Sequence, residues 1–297
     1  MHPLSTLKKH GVRGTARLYG REIAYRWACF RTRHVAQYRN PDGGELRAIE
    51  SELATKGHEV TPCVVESSDF RAFLEQCRFP ENYHGGRNTG YWHEKVFEHF
   101  LSWRLLDMAS FRDGDLYLDI AAGSSPWVRL LREQAGLRAF ALDLTVRPPL
   151  NELRCYIESD ATQTPFDPGS VRGIAMHCAF EMFAGESDVK VIREFARILA
   201  PGGMVVIVPL YMHTHYCCYS SPEYWGRGHG DRGAVEYVRP GTRNIPTSRK
   251  YDVDRLQERV LDVARCAGLT PQLLVLRNQA ELSPEIYCHF VLMLRKQ

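Results

Sequence analysis

The hydrophobic pattern of the chain changes near residue 116, where short apolar runs begin to alternate with amphipathic segments of helical period. Each run is bounded by turn residues and is typical of a buried strand. Strands that alternate with helices predict a parallel sheet with helices on both faces. The runs are "LYLDIA" (116–121), "RAFALDL" (138–144), "CYIESDA" (155–161), "VRGIAMHCAF" (171–180) and "MVVIVPLY" (204–211).

Two further apolar runs lie near the C-terminus, at 271–278 and 285–295. The connection between them is too short for a crossover, so we expect these two strands to be antiparallel. The sequence therefore predicts an α/β fold with a doubly wound, mostly parallel, seven-stranded sheet that ends in an antiparallel hairpin.

Residues 1–110 have a different pattern, mostly helical with loop-like breaks at 40–45 and 78–90. The clearest helix spans 91–108, where apolar residues recur at a spacing of three to four. We therefore expect a helical N-terminal extension or lid over residues 1–110 and a main α/β domain over residues 111–297.

The composition is that of a soluble globular protein, with 44% hydrophobic and 25% charged residues. No apolar run approaches the ~20 residues of a membrane span. The N-terminal "MHPLSTLKKH" lacks the apolar core of a secretory signal, which favours a cytoplasmic location. The nine cysteines are scattered, as expected for reduced thiols rather than a disulfide framework.

Charge is concentrated at the N-terminus. Residues 1–34 carry +7 and the whole chain carries +3, so the remaining residues carry −4. Such a basic segment can contact phosphates, an anionic membrane surface or nucleic acid, or it can be a solvated helix face. Its charges are Lys8, Lys9, Arg13, Arg17, Arg21, Arg26, Arg31 and Arg33 against Glu22.

The stretch "LDIAAGSSP" (118–126) joins the first strand to a tight turn of small residues, as in a nucleotide-binding loop. A dinucleotide fingerprint needs G-x-G-x-x-G, but the only glycine here is Gly123, and Pro126 does not fit that spacing. The small side chains of Ala121 and Ser125 still allow the backbone to approach a ligand. The loop thus argues for a nucleotide-like ligand other than NAD.

Three sequence motifs follow the loop at 118–126 in a characteristic order. Asp143 ends the second strand, 24 residues after Asp119, in "ALDLT". Asp160 lies in "ESDATQTPFDPGSV" before the fourth strand, and "ILAPGGMVVIVP" leads into the fifth. With the loop at 118–126, this order resembles the class I S-adenosylmethionine-dependent methyltransferases over roughly residues 90–297.

The resemblance implies S-adenosyl-L-methionine as the cofactor of residues 111–297. Asp143 would accept the ribose hydroxyls, Asp160 the adenine amino group, and the backbone N–H of Ala161 would meet the adenine ring. His177 ends the fourth strand and would face the cofactor. The implied cofactor-binding residues are Asp119, Ala121, Gly123, Ser124, Ser125, Asp143, Asp160, Ala161 and His177.

A hydroxyl acceptor needs a general base, and histidine suits this role because its pKa lies near neutral pH. His177 is the first candidate, although it could simply pack against the cofactor, and His213 and His215 are rivals. The segment 209–231 also holds Cys217 and Cys218, but His-x-His-x-Cys-Cys is not a standard zinc spacing, so we expect an aromatic pocket and no metal. Candidate acceptor-binding residues are Tyr83, Tyr91, Trp92, Glu181 and Tyr211.

Three functions remain open. We favour methyl transfer to a small-molecule hydroxyl, on a sugar, a glycan or a natural product, with membrane contact through residues 1–34 as an option. An RNA-directed methyltransferase could use the basic segment, but the "HCAF" at 177–180 lacks the Asn/Asp-Pro-Pro-aromatic motif of amino-methylating nucleic-acid enzymes. A non-catalytic cofactor-binding or interaction protein is disfavoured by the three acids Asp119, Asp143 and Asp160.

Overall fold

An eight-stranded sheet organises residues 18–297, the part of the chain that the computed structural model describes. Its strand order is β1-β10-β11-β6-β5-β2-β3-β4. The strands are β1 (Val60–Cys63), β2 (Leu116–Ile120), β3 (Arg138–Asp143), β4 (Tyr156–Glu158), β5 (Val171–His177), β6 (Leu199–Leu210), β10 (Leu269–Leu276) and β11 (Phe290–Lys296). The basic residues Lys8, Lys9, Arg13 and Arg17 lie outside the described residues.

The sheet is parallel except at β11, which runs antiparallel to both β10 and β6. The predicted mostly parallel sheet with a C-terminal antiparallel pair is therefore confirmed. The strand count differs from the predicted seven because β1 comes from the segment expected to be helical and pairs with β10. This strand has four residues and contains Pro62, so it lies at the edge and is too short to show an alternating pattern.

Helices cover both faces of the sheet, as predicted. Helices α3, α4 and α5 pack on one face, and α2, α6 and the α7–α8 helix pack on the other. The helices are α1 (18–31), α2 (Gly43–Thr55), α3 (Ser67–Gln76), α4 (Trp92–Leu105), α5 (Trp127–Ala135), α6 (Ser187–Ile198), α7 (Val253–Leu256), a π-helical turn (Gln257–Leu261), α8 (Asp262–Cys266) and α9 (Gln279–Leu282). No helix within residues 18–297 is long and apolar enough to cross a membrane.

The strand order reverses between β2 and β5. From β2 the chain continues outward through β3 and β4, whereas β5 lies on the other side of β2 and leads to β6. In open α/β sheets, ligands bind beyond the carboxyl ends of the strands at such a switch point. Asp119 near the end of β2 and His177 at the end of β5 are therefore placed at the expected ligand crevice.

A second, smaller sheet follows β6 and was not predicted. It has the order β8-β7-β9, formed by Cys217–Ser220 (β7), Val235–Val238 (β8) and Ser248–Lys250 (β9). Its strands have three or four residues each, which is too few for hydrophobic alternation to mark them in the sequence. Helix α1 joins this region, because Tyr25 Oη accepts a hydrogen bond of 3.0 Å from the Gly241 backbone N–H.

Candidate functional site

Two adjoining cavities lie at the switch point. The larger, of 690 Å³, lies between α4, the segment around residues 80–85 and the ends of β2 and β5. The smaller, of 340 Å³, lies beside the ends of β3 and β4. Both are lined by Ala121, so the loop after β2 separates them. This arrangement suits an elongated ligand that crosses the loop.

The loop after β2 contains two residues with left-handed backbone conformation. Ala121 and Gly123 both adopt φ of 55°, in the left-handed region that favours glycine. The backbone N–H of Gly123 donates to Asp143 Oδ2 at 2.8 Å, which ties the loop to the end of β3. Ser125 Oγ accepts a hydrogen bond of 3.3 Å from the backbone N–H of Trp127 at the start of α5. Ser124, also in this loop, lines the larger cavity.

Asp119 is buried at the floor of the larger cavity, with 1% of its surface exposed. Its Oδ1 lies 2.9 Å from His177 Nδ1, whereas its Oδ2 has no hydrogen-bond partner within residues 18–297. A buried carboxylate oxygen without a partner is costly, and an ammonium group donating to it would satisfy it. This free oxygen fits the amino group of the methionine part of S-adenosylmethionine.

His177 is held at both ring nitrogens. Nδ1 faces Asp119, and Nε2 lies 2.9 Å from Ser102 Oγ. The Ser102 hydroxyl in turn donates to the backbone carbonyl of His99 at 2.9 Å. With both nitrogens engaged, His177 can act as a base only if one of these bonds breaks. Its geometry is that of a residue that positions Asp119.

Helix α4 presents a row of polar residues to this site. Lys95 is a candidate pocket residue in the sequence, whereas Glu98, His99 and Ser102 were not predicted. Lys95, Glu98 and His99 line the larger cavity, and Ser102 holds His177. Their spacing of three, one and three residues places them on one helix face. These polar residues lie within the helix predicted at 91–108, but only its apolar positions served to predict it.

Glu98 is fully buried and carries a free oxygen. Its Oε1 accepts a hydrogen bond of 2.6 Å from Lys95 Nζ, and its Oε2 has no partner among the described residues. Burial raises the pKa of Glu98 to about 8, against the opposing effect of the Lys95 charge, while Glu94 adds to the increase and His177 counteracts it. Glu98 can therefore exchange a proton near neutral pH.

His99 connects α4 to the segment that covers the cavity. Its Nε2 lies 2.7 Å from Tyr83 Oη, and its ring stacks on Trp127 at a centroid distance of 4.8 Å. Burial and the neighbouring His177 and Lys95 hold the pKa of His99 well below its usual range, so the imidazole is neutral. Tyr83, predicted to bind the acceptor, does line the larger cavity.

Glu181 and Tyr211 form a layer behind the cavity wall. Cys178 lines the cavity, and its Sγ lies 3.4 Å from Glu181 Oε1 and 3.3 Å from Tyr211 Oη. Burial raises the pKa of the Cys178 thiol to about 12, so it is not an activated nucleophile. Tyr287 extends this layer, with its Oη 3.4 Å from Tyr211 Oη.

The smaller cavity holds the residues expected to contact the nucleoside. Asp143, Asp160 and Ala161 all line it. Asp143 accepts backbone hydrogen bonds from Gly123 at Oδ2 and from Thr145 at Oδ1, the latter at 3.2 Å. Asp160 Oδ1 accepts from its own turn, at the backbone N–H of Thr162. These bonds fix both carboxylates at the cavity, and their roles toward ribose and adenine stay predictions.

Four predicted site residues lie elsewhere in the described part of the chain. Tyr91 is on the surface with 64% exposure, and Trp92 packs in the core with 3%. His213 and His215 lie just before β7, near Cys217 and Tyr237 rather than along either cavity. Their proposed roles in acceptor binding and proton transfer have no support from this placement.

Residues 118–207 match a family model described as a methyltransferase domain. This range begins in β2 and ends in β6, so it contains the loop at 121–125 and the three acids predicted to hold the cofactor. No curated protein matches the chain.

Two solved structures illustrate the proteins to which the chain is similar. One is the 1,6-didemethyltoxoflavin-N1-methyltransferase of Burkholderia thailandensis, with 16% identity and a TM-score of 0.48 over 81% of this chain and 94% of that one. The other is the geranyl diphosphate C-methyltransferase of Streptomyces coelicolor, with 15% identity and a TM-score of 0.41 over 77% of this chain and 96% of that one. Their acceptors differ from each other, so the acceptor of this chain does not follow from them.

Proposed function

Since residues 118–207 carry a methyltransferase domain, whose cofactor is S-adenosylmethionine, we propose that the chain methylates a hydroxyl group of a small molecule. The acceptor that we favour is a sugar, a glycan or a natural product. S-adenosylmethionine supplies a methyl group that its sulfonium already activates. The chain itself has to hold the acceptor oxygen in line with this group and take up the hydroxyl proton.

The free carboxylate oxygen of Glu98 is the observation that carries this proposal. A hydroxyl acceptor loses its proton when it is methylated, and a general base works best when its pKa lies near the operating pH. Glu98 lines the larger cavity, has an unpartnered Oε2, and has its pKa raised to about 8 by burial. We assign the role of general base to Glu98 rather than to His177, His213 or His215.

The remaining site residues have supporting roles in this proposal. Asp119 accepts the methionine amino group of the cofactor through Oδ2, and His177 keeps the carboxylate of Asp119 in place. Asp143 and Asp160 line the smaller cavity at positions suited to the ribose and the adenine. Lys95 restrains Glu98 through Oε1, and Oε2 has no partner among the described residues.

The size and lining of the larger cavity support a small polar acceptor. Its 690 Å³ must hold the methionine part of the cofactor together with the acceptor. Asn82, His84 and Lys95 give the acceptor side hydrogen-bonding groups, and Tyr83 offers a flat ring. Such a lining suits a hydroxylated ring compound.

A turnover assay with matched acceptors tests the proposal. S-adenosylhomocysteine formation is measured with a panel of sugars and phenols, each paired with the same compound already methylated at its hydroxyl groups. We expect turnover with some free hydroxyl compounds and none with their methylated partners. Turnover with RNA in place of all of these compounds would support the RNA-directed alternative and contradict the proposal.

We also propose that α1 brings the enzyme to an anionic membrane surface. One side of α1 is docked, because Glu22 pairs with Arg243 at 2.7 Å and Tyr25 bonds to Gly241. Another side exposes large apolar residues at helical spacing, which we call the outer face of α1. These are Tyr19, Ile23, Trp27 and Phe30, with exposures of 40%, 67%, 59% and 58%.

Positive charges border the outer face of α1. The Arg31 guanidinium lies 4.7 Å from the Trp27 ring centroid, and that of Arg33 lies 4.0 Å from the Phe30 centroid. Exposed aromatic and aliphatic residues bordered by arginines are typical of helices that lie in the interface of anionic bilayers. A membrane contact of this kind would bring the enzyme near a lipid-linked or phosphorylated acceptor.

A further inference from the structure

The link between β6 and β7 brings together two histidines and a cysteine. The possible ligand atoms of His213, His215 and Cys217 all lie within 4.8 Å of one another. His213 is 5% exposed and Cys217 is fully buried. The three residues lie apart from the two cavities described above, so the methyl-transfer site does not account for their convergence.

We propose that His213, His215 and Cys217 bind one zinc ion. Two imidazole nitrogens and one thiolate are a donor set that zinc prefers, with bonds of about 2.0–2.3 Å in tetrahedral geometry. Such bonds place the ligand atoms roughly 3.4–3.6 Å apart. The ligand atoms in the structure, all within 4.8 Å of one another, approach this arrangement.

The backbone of this segment is fixed by bonds that do not involve the proposed ligand side chains. The backbone N–H of His213 donates to the Tyr251 carbonyl at 2.8 Å. The backbone N–H of Tyr216 donates to Asp252 Oδ2 at 3.0 Å. The segment is therefore held in place before any metal arrives, and this reduces the entropy lost on binding.

The hydrogen bonds of the two histidines favour Nδ1 of each ring as the metal-binding atom. His215 Nε2 lies 2.9 Å from Tyr237 Oη, which leaves Nδ1 for a metal. A hydrogen bond at the outer nitrogen commonly orients a metal-binding histidine. Thr214 Oγ1 lies 3.3 Å from Nδ1 of both histidines, so the two atoms face a common region. Thr214 is exposed, and its hydroxyl can rotate away.

The adjacent cysteines of the His-x-His-x-Cys-Cys spacing argue against a zinc site in the sequence, but the strand geometry removes this objection. Adjacent residues of a strand point to opposite faces, and Cys217 and Cys218 are adjacent in β7. Of the two, only Cys217 joins the histidine pair. Three protein ligands leave the fourth position to water. The ion would brace the segment that follows Tyr211, whose hydroxyl contacts Cys178 in the cavity wall.

Cobalt spectroscopy on the full chain tests the zinc site independently of methyl transfer. The protein is stripped with a chelator, dialysed, and titrated with Co²⁺ as a probe for zinc. We expect one ion per chain, a sulfur-to-cobalt charge-transfer band, and displacement of the cobalt by Zn²⁺. The Cys217→Ser variant should lose the band, and His215→Ala should weaken binding at least tenfold. Cys218→Ser is the matched control and should keep the band.

Three results would overturn this proposal. The first is absence of saturable Co²⁺ and Zn²⁺ binding at micromolar concentrations. The second is a charge-transfer band that persists in Cys217→Ser. The third is equal loss of binding in Cys218→Ser, with all variants folded by circular dichroism. Should Cys217→Ser fail to fold, an unchanged cobalt affinity in His215→Ala would contradict the site by itself.

Discussion

The Nδ1 atom of His177 lies 2.9 Å from Oδ1 of Asp119, so the end of β5 is tied to the end of β2 across the switch point. The two strands are neighbours, with Asp119 opposite Ala175 in register. Both side chains lie on the face of the sheet that α4 covers, where Ser102 completes the contact. His177 thus occupies Oδ1 of Asp119 and fixes the orientation of the carboxylate, whose Oδ2 stays free.

Replacing His177 should weaken cofactor binding rather than remove the base. In His177→Ala, the Asp119 carboxylate loses its partner and its fixed orientation, so we expect the Kd for S-adenosylhomocysteine to rise about tenfold. The shape of the pH–rate profile should stay the same. Calorimetric titration and a pH series on the same preparation measure both effects. A profile that loses its rise with pH would instead assign the proton transfer to His177.

Replacing Glu98 should reduce turnover while cofactor binding persists. The Glu98→Gln variant keeps the size of the side chain but cannot accept the acceptor proton, and we expect kcat to fall about 10²–10⁴-fold. The comparison is Glu94→Gln, because Glu94 is also fully buried on α4 but does not line the larger cavity. This variant should keep kcat above pH 8 and lower the pKa of the profile, because Glu94 raises the pKa of Glu98. Equal activity of Glu98→Gln and the wild type would remove Glu98 from the mechanism.

The activity should rise with pH up to about 8. Burial raises the pKa of Glu98 to about 8, and a general base is active only when it is deprotonated. Below this pH, kcat/KM should fall about tenfold for each pH unit, and above it a plateau should follow. Steady-state rates with saturating S-adenosylmethionine give the profile. A profile that stays flat between pH 6 and 9 contradicts this assignment.

Glu94 should contribute, together with Glu98, to a decrease of folding stability as pH rises. Burial raises the pKa of Glu94 to about 7 from an ordinary value of 4.5, so the folded state holds the proton more tightly than the unfolded state. The resulting stabilisation is complete below the ordinary value and is lost as pH rises through about 7. Its size is about 3 kcal/mol.

Urea unfolding of the wild type and of Glu94→Gln between pH 4 and pH 8 measures this effect. The difference between the two free energies of unfolding should shift in favour of the variant as pH rises, because glutamine has no proton to lose. A difference that is the same at every pH would place the charge change of Glu94 outside this range.

The outer face of α1 should control membrane binding. Replacing Ile23, Trp27 and Phe30 together with serine keeps every charge but removes the apolar contact, so we expect about a tenfold or greater loss of binding to anionic vesicles. Flotation with vesicles containing phosphatidylserine measures the binding, and neutral vesicles are the control. The same loss of affinity for RNA, without any vesicle binding in the wild type, would favour a nucleic-acid partner.

The main sheet could be predicted because its strands are apolar runs bounded by turn residues. The sequence missed β1, which is short and contains Pro62, and β7, β8 and β9, which have three or four residues each. These strands are specified by contacts with distant partners, such as β1 with β10. Local periodicity does not record such contacts.

The residues predicted to bind the cofactor line the two cavities, whereas Tyr83 alone of the five predicted acceptor-binding residues does so. Asp119, Gly123, Asp143 and Asp160 lie in contiguous motifs, and all line the two cavities. The pairing of His177 with Ser102 joins residues 75 positions apart, and it depends on how α4 packs over the sheet. The polar row on α4 could have been found from its spacing, but its contact with the cavity could not.

The acceptor atom that receives the methyl group decides whether this enzyme methylates a hydroxyl. The enzyme is incubated with S-adenosylmethionine labelled with ¹³C in the methyl group and with the acceptor that gives turnover, and the product is examined by NMR. We expect one labelled methyl group bound to oxygen, formed by the wild type and strongly reduced in Glu98→Gln. A label on nitrogen or carbon, or one formed equally well without Glu98, would contradict this expectation.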